Sequence, residues 1–285
     1  MFSWQRLKGL LSFGWKMLAS SLLDTIYNNI RSLIIGKMYS SSDLAYYNQG
    51  KQFPNTIVNN INSSIDSVLL PSMASAQDDR ARVKSMTRRS IKTSTYIMAP
   101  LMMGLAFCAK PIVQVVLTDK WLPCVPFLRI FCITYMFYPI HTANLNAIKA
   151  MGRSDYFLKL EIAKKIVGLG LLFSTMWFGV LAMAYSLLVN SVLSQIINSW
   201  PNRKLLNYGY LEQLKDILLG ISLAVFMGFC VSLIGLLHLS NGITLLIQIP
   251  FGAAVYIGMS AVLHLESYEY LLDMVRQLLK KIVKK

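Results

Sequence analysis

Residues 22–39 read LLDTIYNNIRSLIIGKMY. The stretch is apolar enough to enter a bilayer, yet Asp24, Asn28, Asn29 and Arg31 sit in its middle. Lipid satisfies no polar group, so such residues on a spanning helix must face the bundle interior or water. Their phase agrees with that. Lys16, Ser20, Asp24, Asn28 and Arg31 step by four, four, four and three, which places them on one helical face. The next apolar run repeats the design: Gln52, Asn55, Asn59, Asn62 and Asp66 step by three, four, three and four. Two adjacent helices joined by a short loop thus each offer a hydrophilic ridge. Together the ridges are expected to form one wall of a water-filled cavity. The competing account is helix–helix glue, with amides bonding across the bundle. Three ionisable groups (Asp24, Arg31, Asp66) among the amides favour the lumen.

The rest of the chain supports a membrane setting. Of 285 residues, 55% are hydrophobic and 14% charged, where a soluble domain usually carries about 25% charged residues. Mean hydropathy is +0.49. A bilayer core of about 30 Å needs roughly 20 helical residues. Runs of that length fall near 13–36, 53–76, 93–117, 122–147, 160–178, 180–200, 214–237 and 243–264. The expected fold is therefore all-α, a polytopic bundle of about eight transmembrane helices. Only Phe178 and Gly179 separate the fifth and sixth runs, which predicts a tight helical hairpin.

The net charge of +15 is distributed by loop. Of the 28 Lys and Arg, 22 lie in residues 1–16, 77–92, 149–165, 201–216 and the tail after 265. The alternate loops carry only Lys37, Lys51 and Lys120. Basic loops stay cytoplasmic, so both termini are predicted on that side. No continuous basic face appears, which argues against nucleic acid as a partner. The tail SYEYLLDMVRQLLKKIVKK puts Leu271, Leu272, Val275, Leu278, Leu279 and Ile282 on one stripe. With its lysines elsewhere, it reads as an interfacial helix on anionic membrane lipids. Segment 1–12 (MFSWQRLKGLLS) is expected to lie along the surface in the same way. The expected organisation is thus 1–12 interfacial, 13–200 a six-helix lobe, 201–264 two additional helices and 265–285 a basic amphipathic tail.

Chemistry-bearing motifs are scarce. Cys108, Cys124, Cys132 and Cys230 form no CxxC pair and read as packing residues. The Asn62-Ser63-Ser64 sequon lies inside an expected span. No metal-ligand cluster, nucleophile motif or phosphate loop is present, so neither an enzyme nor a cofactor is expected. Later spans hold further polar groups. The fourth carries Arg129, a break at Pro139, then His141, Asn144 and Asn146. Arg129 and His141 are about 120° out of phase at ~100° per residue, so only a kink at Pro139 brings them to a common face. The sixth carries Ser186, Asn190, Ser194 and Asn198 at steps of four, a stripe that suits packing or a lumen equally.

Residues 13–79 carry a recognisable pattern: Asp24-Thr25 before Tyr27-Asn28-Asn29, Gly36-Lys37 before Tyr39-Ser40, then Tyr46-Tyr47-Asn48, Gly50, Gln52-Phe53-Pro54, Val58 to Ser64 and Pro71. This block resembles the Wzx-type polysaccharide flippases of the multidrug/oligosaccharidyl-lipid/polysaccharide exporter superfamily. Ala45 stands where the family often has glycine. The resemblance implies a MATE-like fold of two six-helix lobes, often with two more helices, of which this chain matches the second lobe plus the extra pair. It also implies a flippase in the bacterial inner membrane. The implied substrate is an undecaprenyl-diphosphate-linked oligosaccharide for O-antigen, capsule or exopolysaccharide. A first lobe or a second copy, and polysaccharide assembly proteins, are the implied partners. A diphosphate calls for cations, with Arg31 first and Lys16 and Arg129 behind it. The amides and hydroxyls of the two ridges suit a sugar chain, and His141 and Asn144 are further cavity-lining candidates, His141 by itself reading as a satisfied structural histidine before a proton relay. Asp24 and Asp66 are the candidates for ion coupling, by proton or sodium. The alternatives are a related multidrug exporter, a non-transporting fragment or assembly partner, and a membrane-embedded glycosyl- or acyltransferase.

Overall fold

The computed structural model describes Leu22 and residues 25–237 and 239–283. Lys16, Asp24 and the 1–12 segment lie outside the described residues. The described chain is helical from end to end, and its turns fall where backbone chemistry demands them. Helix α1 covers 25–38. Ser40 then caps α2 (Ser41–Ala74): its hydroxyl accepts from Asp43 N at 3.0 Å, and the Asp43 carboxylate accepts from Ser40 N. This capping box starts α2 inside the expected 37–52 loop. At 34 residues, α2 is about 50 Å long and exceeds the bilayer core.

Asp79 caps α3 (Arg80–Phe107), which bends by 70° at Cys108 into the short α4 (Ala109–Val116). A 3-10 turn leads into α5 (Val125–Met136) and α6 (Tyr138–Ala150). The break between them falls at Phe137, just before Pro139, where the missing amide hydrogen was expected to interrupt the helix. The hairpin between α7 (Ser154–Thr175) and α8 (Val180–Leu205) turns at Gly179, whose φ of +98° suits glycine. Helices α9 (Tyr210–Ile234), α10 (Asn241–Val262) and α11 (Glu266–Val283) complete the order.

Among the described residues, four helical stretches are long and apolar enough to cross a membrane: Asp119–Ala150, Val180–Leu205, Tyr210–Leu237 and Asn241–Val262. Taking the bent α3–α4 pair as one span makes five. The spans expected at 53–76 and 160–178 fall in α2 and α7, which are more polar. Asn59, Asn60, Asn62 and Asp66 dilute one; Lys159, Glu161, Lys164 and Lys165 dilute the other. Large apolar side chains such as Phe173, Trp177, Phe178, Trp200 and Leu246 are exposed on the outside of the bundle.

Helix α3 is the central packing element. Its buried Met98, Ala99 and Met102 join Leu128 and Phe131 of α5 and Met227 of α9 in one core. Gly50 lets α2 approach α5: a Cβ there would stand 2.7 Å from Phe127 Cβ and 2.9 Å from Leu128 N. Toward the N-terminal end of α3, Lys84, Arg88 and Lys92 recur every four residues. They face Glu212 and Asp216 of α9 and Glu266 of α11. The Arg88–Asp216 pair is bidentate, at 2.8 and 2.7 Å. Of the two helices expected as an addition to the six-helix lobe, α9 packs directly onto α3, and α10 packs on α9 and α4.

Candidate functional site

A cavity of about 560 Å³ opens between α1, α6, α7 and α8. Each helix contributes through its phase. On α8, Asn190, Ser194 and Asn198 follow one another at steps of four and all line the space. The α5–α6 break sets Tyr138 and His141 on the first turn of α6, facing the same space. Helix α7 supplies Phe157, Glu161, Lys164 and Lys165, and α1 supplies Tyr27 and Asn28. Gly168 brings α7 against α1 and α8: a Cβ there would stand 2.5 Å from the Tyr27 hydroxyl and 3.4 Å from the Asn190 amide.

The lining is polar and aromatic. Lys164 Nζ stands 2.6 Å from Glu161 Oε1, and Lys165 Nζ lies 5.5 Å from the Tyr27 ring centre. Asn198 Nδ2 donates to His141 Nδ1 at 3.2 Å, which keeps the hydrogen of a neutral ring on Nε2. Asn198 is 1% exposed, and its Oδ1, like Asn190 Oδ1, has no partner among the described residues. Buried amide oxygens left so are rare. Such a space can offer hydrogen bonds, stacking faces and charge to a polar ligand.

The expected site residues are divided among several places. Asn28 and His141 line this cavity. Arg31 is turned into the bundle, where Nη1 donates to Met183 O at 2.5 Å and Ser186 Oγ at 2.6 Å. It ties α1 to α8 behind the cavity. Gln52 and Asn59 are exposed on α2, while Asn55 and Asn62 are half-buried there. Asp66 accepts from Asn146 Nδ2 of α6 at 2.7 Å. Among the described ridge residues, Asn28 lines the cavity, Arg31 turns toward α8, and Asp66 of the second ridge packs on α6. Arg129 is exposed, with Nε donating to Ala106 O at 3.3 Å, and the kink does not bring it to His141. Asn144 is fully buried: its Oδ1 accepts from Asn202 Nδ2 at 2.7 Å and Gln213 Nε2 at 2.9 Å. It is interhelical glue and is not among the residues lining this cavity. The sixth-span stripe serves both expected purposes, Ser186 in packing and the other three in the lining.

The sequence reading missed Tyr27, Tyr138, Glu161, Lys164 and Lys165. Glu161, Lys164 and Lys165 recur at helical spacing with Gly168, but counting basic loops assigned the lysines to the cytoplasm.

Helices long and apolar enough to cross a membrane, with large apolar side chains on the outside of the bundle, define the class: a multi-pass membrane protein. Residues 1–126 match a family described as polysaccharide biosynthesis protein. The chain is 24% identical over 201 residues to the teichuronic acid biosynthesis protein TuaB of Bacillus subtilis, covering 70% of this chain and 42% of that protein. It is 22% identical over 189 residues to the lipopolysaccharide biosynthesis protein WzxC of Escherichia coli, covering 66% and 38%. Among solved structures, the lipid II flippase MurJ in an inward closed conformation matches with a TM-score of 0.75 at 17% identity, over 95% of this chain and 57% of that one. The resemblance to polysaccharide flippases drawn from residues 13–79 is in line with these matches. The names of the curated relatives describe polysaccharide biosynthesis, and that of the solved structure a lipid flippase. The chain spans less than half the length of the curated relatives it matches.

Proposed function

We propose that this chain is a lobe of a flippase that moves lipid-linked oligosaccharide across the bacterial inner membrane during polysaccharide biosynthesis. The observation that carries the reading is the polar cavity between α1, α6, α7 and α8 in a chain whose fold matches a flippase. A hydrophilic head group needs such a path because desolvating it in lipid costs several kcal/mol per unsatisfied polar group. Alternating access in such folds rocks one lobe against another around a central site. In this reading the exposed ridge of α2, with Gln52, Asn55, Asn59, Asn62 and Asp66, faces the opposite lobe or a second copy. Lys16 and Asp24, which share a helical phase with Asn28 in the sequence, belong to the same polar set, and Lys16 and Arg129 are the cations for the diphosphate. Arg31 acts by fixing α1 on α8. Asp24 and Asp66 are the ion-coupling groups.

The same proposal includes eight spans, with α2, α7 and the run at 13–36 crossing beside the more apolar helices. Both termini are cytoplasmic, and α11 lies on the anionic leaflet. Two lysines in the cavity disfavour a multidrug exporter that takes cationic compounds.

The test is transport. The chain is co-reconstituted in vesicles with a fluorescent undecaprenyl-diphosphate oligosaccharide, alone and with a first-lobe polypeptide from a relative. Protection of the label from a membrane-impermeant quencher should change with time in at least one arm. No flipping in either arm, with folded protein in both, overturns the reading.

A further inference from the structure

We infer that a pocket between α3, α9 and the turn into α11 is a binding site for the phosphate of an anionic membrane phospholipid. The inference goes beyond the flippase reading and does not depend on it.

The pocket holds about 270 Å³ and is lined by Lys92 and Thr95 of α3, Lys215 and Gly220 of α9, and Glu266 and Ser267 of α11. The apolar stretch Tyr210–Leu237 begins beside it, and Asn241–Val262 ends beside it. That is the depth at which lipid head groups lie. Leu219 and Leu263 also line the pocket and are exposed, so its lip is apolar where acyl chains would run. A free anion has no use for such a lip.

Two donors point to an anion. Helix α11 has 18 residues, and the amides of Glu266, Ser267 and Tyr268 at its start have no acceptor among the described residues. Such amides form the positive end of the helix dipole and suit a phosphate. The second donor is Thr95, which is 1% exposed and whose Oγ1 has no partner among the described residues. A helical threonine ordinarily gives its hydroxyl to the carbonyl four residues back, as Thr87 does to Val83 O at 2.8 Å. A buried hydroxyl left without that bond calls for a ligand acceptor.

Charge agrees. Arg88 holds Asp216 through two hydrogen bonds and Tyr208 adds a third, so that carboxylate is satisfied. Lys92 donates to Glu266 at 2.5 Å, and His264 lies 3.3 Å from Glu269. Lys215 makes no ion pair or hydrogen bond among the described residues, and its ammonium is in excess. Glu266, 79% exposed, stands in for the ligand on Lys92 and can swing away when a phosphate arrives. A zwitterionic head group brings an ammonium of its own, which Lys215 repels; an anionic one does not. Gly220 keeps the space open, since a Cβ there would meet nothing within 4 Å.

The experiment is native mass spectrometry of the full chain in detergent, titrated with dioleoylphosphatidylglycerol, dioleoylphosphatidylcholine or inorganic phosphate. Phosphatidylglycerol should bind about tenfold more tightly than phosphatidylcholine, the scale of one charge-assisted contact. Inorganic phosphate should not displace it. Gly220→Leu fills the pocket without touching a charge; it should abolish the preference while the thermal midpoint holds. Lys215→Gln should bring the two lipids near parity, and Thr95→Val should weaken both. Glu266→Gln should tighten phosphatidylglycerol binding by freeing Lys92. Lys110→Gln removes a cation from α4 and should change nothing. Equal binding of the two lipids, a preference that survives Gly220→Leu, or weaker binding in Glu266→Gln overturns the inference. So does an equal loss in Lys110→Gln and Lys215→Gln, which would mean diffuse attraction to a basic chain. Displacement by inorganic phosphate would identify a free-anion site and overturn the lipid assignment.

Discussion

Arg31 and Ser186 are 155 positions apart, and their side chains meet at 2.6 Å inside the bundle. The same guanidinium nitrogen also donates to the Met183 carbonyl, so one buried cation fastens α1 to the second turn of α8. Hydrogen bonds to a charged group are stronger than neutral ones, and cutting one side leaves buried acceptors unsatisfied. Arg31→Ala should therefore destabilise the chain by about 3 kcal/mol, read as a lower thermal midpoint in detergent. Arg31→Lys should recover part of the loss, because an ammonium can donate to only some of the same oxygens at that reach. Two equal losses would show that the guanidinium geometry is irrelevant.

Gly50 and Gly168 separate two kinds of close approach. A Cβ at Gly50 meets the Cβ of Phe127 and the backbone of Leu128, neither of which can swing away. Gly50→Ala should cost about 2–3 kcal/mol by overpacking and push α2 off α5. At Gly168 the obstacle is the Tyr27 hydroxyl, the far end of a side chain. Gly168→Ala should leave the thermal midpoint nearly unchanged while displacing Tyr27 and weakening ligand binding in the cavity.

Asn144 and Asn198 look alike in sequence and should behave differently. Asn144 is held by Asn202 and Gln213 in a closed buried network. Asn144→Ala strands those partners and should cost about 2–3 kcal/mol, measured by thermal melt, with ligand affinity of the folded fraction retained. Asn198→Ala removes an unpartnered acceptor and one hydrogen bond to His141, so it should cost only about 1 kcal/mol while weakening ligand binding in the cavity. A melt in which both variants fall together would end the distinction.

Glu266 on α11 receives a hydrogen bond from Lys92 at 2.5 Å, and that ammonium holds its carboxyl below the usual range. A carboxyl depressed in the folded state adds stability above its unfolded pKa, and the addition disappears as pH falls through the folded value. The thermal midpoint of the unaltered chain should therefore drop toward that of Glu266→Gln as the medium is acidified. Because the Glu266 side chain is 79% exposed, the gap at neutral pH should be below about 1 kcal/mol and shrink with salt. A gap that widens in acid would contradict the sign.

The elements that were legible in the sequence are those governed by local chemistry. Pro139 announced the α5–α6 break, Gly179 the α7–α8 hairpin, and the steps of four on α8 the polar stripe that lines the cavity. Helical phase shows which residues share a face but not which neighbour that face meets. The α1 ridge was thus legible as a unit, whereas its turn toward α8 depends on Met183 and Ser186, more than 150 positions away. Asn144 was indistinguishable from a lining residue because a satisfied buried amide and a ligand-binding amide have the same spacing. Glu161, Lys164 and Lys165 were hidden by their own charge, since position near a membrane boundary accounts for lysine without reference to a cavity.

The ladder of Lys84, Arg88 and Lys92 has a consequence for biogenesis. During synthesis these three cations emerge well over a hundred residues before Glu212, Asp216 and Glu266. On the proposed topology, the insertion machinery therefore meets them bare and reads their full charge when the orientation of the neighbouring segments is decided. Once the later helices arrive, the acids neutralise most of that charge, and the finished surface attracts anionic lipid less than the nascent one did. The same residues act first as an address label and afterwards as mortar.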